Sequence, residues 1–175
     1  MKKKAMELSI NFIVILILSI VMLTSGILLL QRFIGSTQDL HRELDTQTIN
    51  ELERLLGTGQ MTVIAFNNKA IKPGDSEIFG LGILNVKRTT EDFKVEVKAS
   101  GAYTPANQKI NIDPGYQESW LLYHGEARLE PDETTKIGIM VIPPRDATQG
   151  RYIYTVEIKA GQENYGVEKI YVTVR

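Results

Sequence analysis

The sequence predicts a mainly β protein, an antiparallel β-sandwich of about seven strands preceded by a transmembrane helix and a juxtamembrane helix. Three observations predict it. An uncharged apolar run covers residues 12–30, an apolar stripe of helical period follows it, and beyond Gln60 the apolar period becomes two. The expected boundaries are a basic leader at 1–7, a transmembrane helix at 8–31, a juxtamembrane helix at 32–59 and the sandwich at 60–175.

The apolar run is long enough to cross a bilayer. From Phe12 to Leu30 it contains no charged residue, and only serine, threonine and glycine interrupt its aliphatic side chains. As a helix it would extend roughly 29 Å, close to the ~30 Å of a hydrocarbon core. Residues 27–30 continue the run beyond the small residues at 24–26. A retained anchor is therefore favoured over a cleaved secretory signal, whose apolar region is usually shorter.

The charges that flank the run indicate its orientation. Lys2, Lys3 and Lys4 precede it, whereas Arg32 and Arg42 are the basic residues that follow soonest. Because positive charge is retained on the cytoplasmic side, we expect a cytoplasmic N-terminus and an extracytoplasmic C-terminal domain.

A second helix is expected after the membrane run. One narrow apolar stripe joins five residues at helical spacing, namely Leu40, Leu44, Ile49, Leu52 and Leu56. Ser36 or Thr37 could cap its start, Gly35 marks a bend, and Gly57 or Gly59 ends it. Two interpretations remain open. The stripe docks on the β domain or pairs with a second copy, or residues 8–56 form one long helix bundled with neighbouring subunits.

The β domain is predicted from alternation and from turn residues. The expected strands are 61–66, 77–86, 93–98, 119–124, 134–142, 152–159 and 170–175. Three proline turns separate them, at 71–74, 112–115 and 129–132. In the first two, Gly74 and Gly115 follow proline, at the position where a type II turn needs a positive φ.

The segment "LEPDETTKIGIMVIPPRDATQGRYIYTVEIKA" resembles the late strands of immunoglobulin-like bacterial and archaeal surface domains. The resemblance implies an immunoglobulin-like sandwich. It also implies that Gly150 and Tyr152 form a tyrosine corner, a structural feature in which the tyrosine hydroxyl bonds back to the backbone. Tyr154 stands where antibody domains have their second cysteine.

The residues that could support catalysis are few. The chain has no cysteine and two histidines, His41 and His124, which are far apart in sequence. No phosphate-binding loop, nucleophile elbow or His-Glu-x-x-His motif occurs. We therefore expect no enzyme activity, no cofactor and no metal site.

Three further interpretations concern binding. Glu130, Asp132 and Glu133 indicate a solvated turn rather than a calcium site. Trp120 is interpreted as a core aromatic, with an exposed binding aromatic as the alternative. Because 20 basic and 21 acidic residues nearly balance, no nucleic-acid partner is expected.

The N-terminus resembles the class III signal region of archaeal type IV pilins and archaellum proteins. Lys2 to Lys4 match the basic leader of that family, and the apolar run matches its filament-packing helix. The resemblance implies cleavage between Ala5 and Met6 and an outward-facing β-rich domain.

The leading hypothesis is a single-pass membrane protein with a structural or interaction role at a prokaryotic cell surface. It would be a pilin-like subunit or an envelope accessory protein, whose partners are the lipid bilayer and other envelope proteins or copies of itself. The alternative is a membrane-tethered module that binds a ligand or carbohydrate. A tethered enzyme is a third hypothesis.

Overall fold

The computed structural model describes residues 12–22 and 44–175 of the 175-residue chain. The chain divides into two compact units, Met1–Asp39 and Leu40–Arg175. In the first unit residues 12–22 form helix α1. Within the described ranges no helix has both the length and the apolar character that a membrane crossing requires.

The second unit is a sandwich of two β-sheets with two helices. Its described residues contain nine strands, and the elements in chain order are α2 (Thr46–Gly57), β1 (Thr62–Ala65), β2 (Asn68–Ile71), β3 (Glu77–Leu84), β4 (Glu91–Tyr103), α3 (Pro114–Glu118), β5 (Leu121–Tyr123), β6 (Glu126–Leu129), β7 (Thr134–Val141), β8 (Gly150–Ala160) and β9 (Glu163–Val174). The first sheet has the strand order β1-β3-β7-β5, and the second has β2-β9-β8-β4-β6. The mainly β, two-sheet architecture that the sequence predicts is confirmed.

Alternating side chains from the two sheets form the core between them. On β3 the inward residues are Phe79, Leu81 and Ile83, all fully buried, and the alternate residues face outward. The facing sheet contributes the inward side chains of β4, β8 and β9, including Tyr152 and Tyr154. This alternation is what made the long strands predictable.

Two strands were not predicted, and one pairing differs from the prediction. β2 and β6 are sheet edges of four residues each, too short to show a clear period. β2 pairs with β9 in parallel, so the second sheet is mixed rather than wholly antiparallel. The cause is a change of sheet along the chain. β1 belongs to the first sheet, and after two residues, including Phe66 at φ 52°, the chain continues in the second sheet as β2.

The proline turns differ from one another. Gly74 has φ 88°, and Asp75 N–H donates to Lys72 O at 3.0 Å, as the predicted turn requires. The type II turn predicted at Gly115 is wrong. Proline there begins the short helix α3, and the side chain of Asp113 caps it by accepting from Tyr116 N at 2.9 Å.

Helix α2 packs against the outer face of the first sheet. Asp45 caps its start by accepting from Thr48 N at 2.6 Å, and Gly59, at φ 88°, follows its end. Because Asp45 has an extended backbone, the single long helix over residues 8–56 is wrong. The predicted starts at Ser36 and Thr37, the bend at Gly35 and the stripe residue Leu40 lie outside the described residues.

The described part of the apolar stripe is buried on the protein's own sheet, which confirms the docking interpretation for that part. Leu44, Leu52 and Leu56 form a small cluster with β1 that is separate from the main core. Gly80 on β3 allows this close approach. A Cβ there would lie 2.6 Å from Thr48 Cγ2 and 3.0 Å from Leu52 Cδ1. Glu53 of the helix also forms an ion pair with Lys136 of β7.

Candidate functional site

Helix α1 exposes an almost entirely apolar surface. Ten of its eleven residues are apolar, and each of these side chains is 49–70% exposed. Its single polar side chain, Ser19, donates from Oγ to Ile15 O at 2.8 Å, so the helix itself satisfies that hydroxyl. A helix that is apolar on every side belongs in a protein core or in lipid, because water solvates it poorly. α1 is therefore the candidate membrane-contact site.

The predicted processing site cannot be placed. Ala5 and Met6 lie outside the described residues, as do the leader lysines, His41 and the remainder of the apolar run. His124 is described and is exposed in the connection between β5 and β6.

Trp120 is a core residue. It is 4% exposed, and its ring lies 4.8 Å from that of Tyr152 and 5.9 Å from that of Tyr116. Among the residues that the structure describes, none gives its indole Nε1 a hydrogen-bond partner. Because the ring is enclosed, it offers no face on which a ligand could stack, and the interpretation of Trp120 as an exposed binding aromatic is wrong.

Gly150 and Tyr152 lie at the start of β8. The hydroxyl of Tyr152, which is fully buried, donates to Thr148 O at 2.7 Å, four residues upstream. This is the hydrogen bond by which a tyrosine corner is recognised. A Cβ at Gly150 would lie 2.6 Å from Tyr103 O, so glycine lets β8 approach the end of β4. The two residues brace one corner of the sandwich.

Replacing Tyr152 with phenylalanine should lower the free energy of unfolding by about 1 kcal/mol, because Thr148 O loses its partner while the ring is kept. Urea unfolding, followed by the fluorescence of the single tryptophan, measures this change. Tyr171→Phe is the control, since no hydrogen bond joins its hydroxyl to another described residue. Equal stability of Tyr152→Phe and wild type would contradict the bracing role.

The free edge of β4 is covered by side chains. β6 pairs only with residues 91–94 of this long strand. Beyond them, Val97 N donates to the hydroxyl of Tyr123 at 3.1 Å, and Ala99 N donates to Glu118 Oε1 at 3.0 Å. Two side chains therefore occupy the donors that another strand would use. The sequence analysis missed both, because each lies about twenty residues from the strand that it caps.

A charged network lies on the outer face of the second sheet. Glu96 of β4 is 3.2 Å from Lys94, 3.4 Å from Lys98 and 3.1 Å from Lys159. The hydrogen bond from Lys159, aided by those from the other two lysines, lowers the pKa of Glu96 from 4.5 to about 2. This network is solvated and joins β4 to β8.

The stability that Glu96 contributes should depend on pH. Because its pKa is lower in the folded protein, the contribution is complete above pH 4.5 and is lost as the pH falls towards 2. Glu96→Gln should therefore be less stable than wild type at pH 6 and equal to it at pH 2. Urea unfolding at both pH values tests this. Asp146→Asn, which removes one exposed loop carboxylate, is the control for the change in net charge. A gap between Glu96→Gln and wild type that persists at pH 2 would contradict the assignment.

The acidic turn shows no sign of a metal site. Glu133 Oε2 accepts from Glu130 N at 2.8 Å, and Asp132 has φ 60°. Over residues 12–22 and 44–175, no group of three or more potential metal ligands occurs. The Glu133 carboxylate thus closes a hydrogen bond within the turn.

A ligand-sized cleft with a partly apolar wall lies at one end of the sandwich. It measures about 540 Å³ and is lined by residues that include Tyr103, Asn107, Gly150 and Arg151. The Arg151 guanidinium lies over the ring of Tyr171, 4.5 Å from its centroid.

Known proteins were compared with the chain in sequence and in structure. No protein-family model and no curated protein sequence matches it. Among solved structures, a family 123 glycoside hydrolase from Clostridium perfringens has a TM-score of 0.47 at 13% identity, over 62% of this chain and 22% of the hydrolase. PapD-like domain 7 of human CEP192 has a TM-score of 0.43 at 16% identity, over 66% of this chain and 85% of that domain.

A third similar structure is the class 5 fimbriae chaperone CfaA. Its TM-score is 0.40 at 14% identity, over 65% of this chain and 56% of the chaperone. No shared activity or partner follows from likeness at this level, because unrelated functions use the same folds.

Proposed function

We propose that this chain is a single-pass, membrane-anchored cell-surface protein with a structural or interaction role, which displays an immunoglobulin-like β-sandwich outside the cell. The observation that carries the proposal is α1, whose ten apolar side chains are all about half exposed or more. In the sequence, the same uncharged run continues to Leu30 and is preceded by three lysines. A bilayer would cover this surface and would hold the lysines on its cytoplasmic side.

The sandwich supports an interaction role rather than a catalytic one. Its described polar side chains are used for caps, corners and surface ion pairs, as at Asp45, Tyr152 and Glu96. A pilin-like subunit or an envelope accessory protein is the finer form of the proposal. Cleavage after Ala5 and assembly into filaments are expected of a pilin-like subunit and not of an accessory protein. N-terminal sequencing of the mature protein shows directly whether the cleavage occurs.

Membrane fractionation tests the anchor. The wild-type chain should stay with membranes after a carbonate wash. Leu16→Asp with Ile20→Asp, which places two charges one turn apart in the run, should move it to the soluble fraction. Val167→Asp, a charge at a sandwich residue that is 51% exposed, is the matched control and should remain in the membrane. Wild-type chain in the soluble fraction, or a double variant that stays in membranes, would refute the anchor.

Orientation can be tested separately, because the chain has no cysteine. A membrane-impermeant maleimide should label Val167→Cys in intact cells. Labelling that requires cell lysis would place the sandwich inside the cell and contradict the proposed display.

A tethered ligand-binding module is the second candidate, and the cleft beside Arg151 favours it. NMR titration of the detergent-solubilised chain with neutral and acidic oligosaccharides should then shift the resonances of cleft residues. Arg151→Ala should abolish those shifts. Shifts spread evenly over the sandwich, or none, would leave the structural role as the better explanation.

A further inference from the structure

The part of the chain that the structure describes covers only about half of the outer face of the first sheet. Four strands about 4.8 Å apart make a face roughly 19 Å wide, enough for two helices about 10 Å across. Helix α2 fills one of these positions, over β1 and β3, where Gly80 and Gly82 bring it close to the sheet. The face of β7 and β5 forms the second position.

An apolar row marks the second position. Ile78, Met140 and Leu122 are register partners across β3, β7 and β5, and Ile142 directly follows the last residue of β7. Ile78 also packs against the cluster under α2, so the row begins at the edge of that helix. Leu122 is 50% exposed and Ile142 is 40% exposed. These four residues, here the apolar row, carry no charge. The nearest cation on the same face of β7 is Lys136, and Glu53 pairs with it.

Helix α2 indicates which features a second helix on this sheet would need. Gly138 of β7 is the register partner of Gly80, so the strip of glycines under α2 continues towards the apolar row. On α2, Ile49 lies four residues before Glu53 and hence on the same side of the helix, facing β7. Ile49 is only partly buried. One apolar edge of α2 is thus available to a neighbouring helix.

We propose that two copies of this chain associate face to face through their first sheets, so that α2 of each copy lies on the apolar row of the other. A twofold axis parallel to the strands produces this arrangement, since it exchanges the filled and empty positions. The two α2 helices then lie side by side, with the two Ile49 side chains close to the axis.

The small size of the row argues for an anchored second copy as its occupant. A few half-exposed apolar side chains offer far less than the roughly 800 Å² per partner of a stable soluble complex. Confinement to one membrane raises the effective concentration, so that a weak contact between anchored copies becomes populated. To this extent the inference rests on the proposed membrane anchor.

Cysteine cross-linking in vesicles tests the contact, because the wild-type chain has no cysteine of its own. The full chain is reconstituted at low protein-to-lipid ratio and oxidised. Ile49→Cys should form a disulfide-linked dimer. Gln47→Cys, an exposed residue on another side of the same helix, should form at least five-fold less. Equal dimer from both variants would show random collision, and no dimer from either would show that the helices do not meet. Both results overturn the proposal.

A second substitution identifies the surface. Leu122→Lys in the Ile49→Cys chain should abolish the dimer, whereas Val167→Lys on the opposite sheet should leave it unchanged. A dimer that survives Leu122→Lys would overturn the assignment of the apolar row. Flotation of the same vesicles reports anchoring independently, so a protein that floats without cross-linking refutes this contact alone, and one that fails to float refutes the anchor.

Discussion

Asn85→Ala should lower the free energy of unfolding by about 3–5 kcal/mol, because several buried backbone groups would lose their partners together. The side chain is fully buried just after β3. Its Nδ2 donates to Thr89 O at 2.9 Å, Leu129 O at 3.0 Å and Glu130 O at 3.1 Å. Its Oδ1 accepts from Lys87 N at 3.0 Å. One amide therefore joins the β3–β4 connection to the turn between β6 and β7.

Urea unfolding of the full chain in detergent micelles, followed by Trp120 fluorescence, measures the effect. Asn164→Ala, at an exposed position near the start of β9, is the control and should change stability by less than about 0.5 kcal/mol. Asn85→Asp is a second test, because its carboxylate would face three carbonyl oxygens. Either Asn85 variant unfolding at the wild-type urea concentration would show that solvent replaces these hydrogen bonds.

Gly80→Ala should destabilise the packing of α2 on the first sheet by about 1–3 kcal/mol, since the added methyl overlaps the helix. The new Cβ would lie 2.6 Å from Thr48 Cγ2 and 3.0 Å from Leu52 Cδ1. Because the cluster under α2 is separate from the main core, the sandwich should still fold. Hydrogen exchange should therefore rise selectively over residues 46–57.

Two variants make this prediction specific. Gly57→Ala, at a helical glycine with open space around it, should leave both stability and exchange close to wild type. Combined with Gly80→Ala, Thr48→Ser removes the overlapping methyl and should restore part of the free energy of unfolding that Gly80→Ala loses. If Gly80→Ala and Gly57→Ala change stability and hydrogen exchange equally, α2 does not pack as close to the first sheet as the structure shows.

Much of the sandwich could be predicted from the sequence, because its long strands alternate strictly. Phe93, Val95 and Val97 alternate with charged residues, which predicted β4 and its inward face without tertiary information. On β3, Phe79, Leu81 and Ile83 show the same period. The same period places Asn85 on the inward side, which was an available sign that this amide is buried. It was missed because a polar residue at a strand end is more often solvated than buried.

Other features depend on contacts distant in sequence, which no local pattern records. The glycines of "FGLGIL" weaken a strand in isolation and are explained only by α2 above them. β2 became a strand through its parallel pairing with β9, about a hundred residues later. At Asp113 and Pro114, capping of a short helix took precedence over the predicted turn.

The candidate site was predictable only in part. The exposed apolar surface of α1 follows from composition alone, since ten of eleven residues are aliphatic, aromatic or methionine. The apolar row was not predictable, because Met140 and Leu122 meet only through the pairing of β7 with β5. Side chains that become neighbours only through strand pairing cannot be recognised from the local sequence pattern.

The side-chain caps on β4 have a consequence for strand pairing between molecules. Tyr123 and Glu118 already hold the amide protons of Val97 and Ala99, so an adjacent molecule finds no ready template for backbone pairing at that border. Strand addition at this edge would first require these two hydrogen bonds to break.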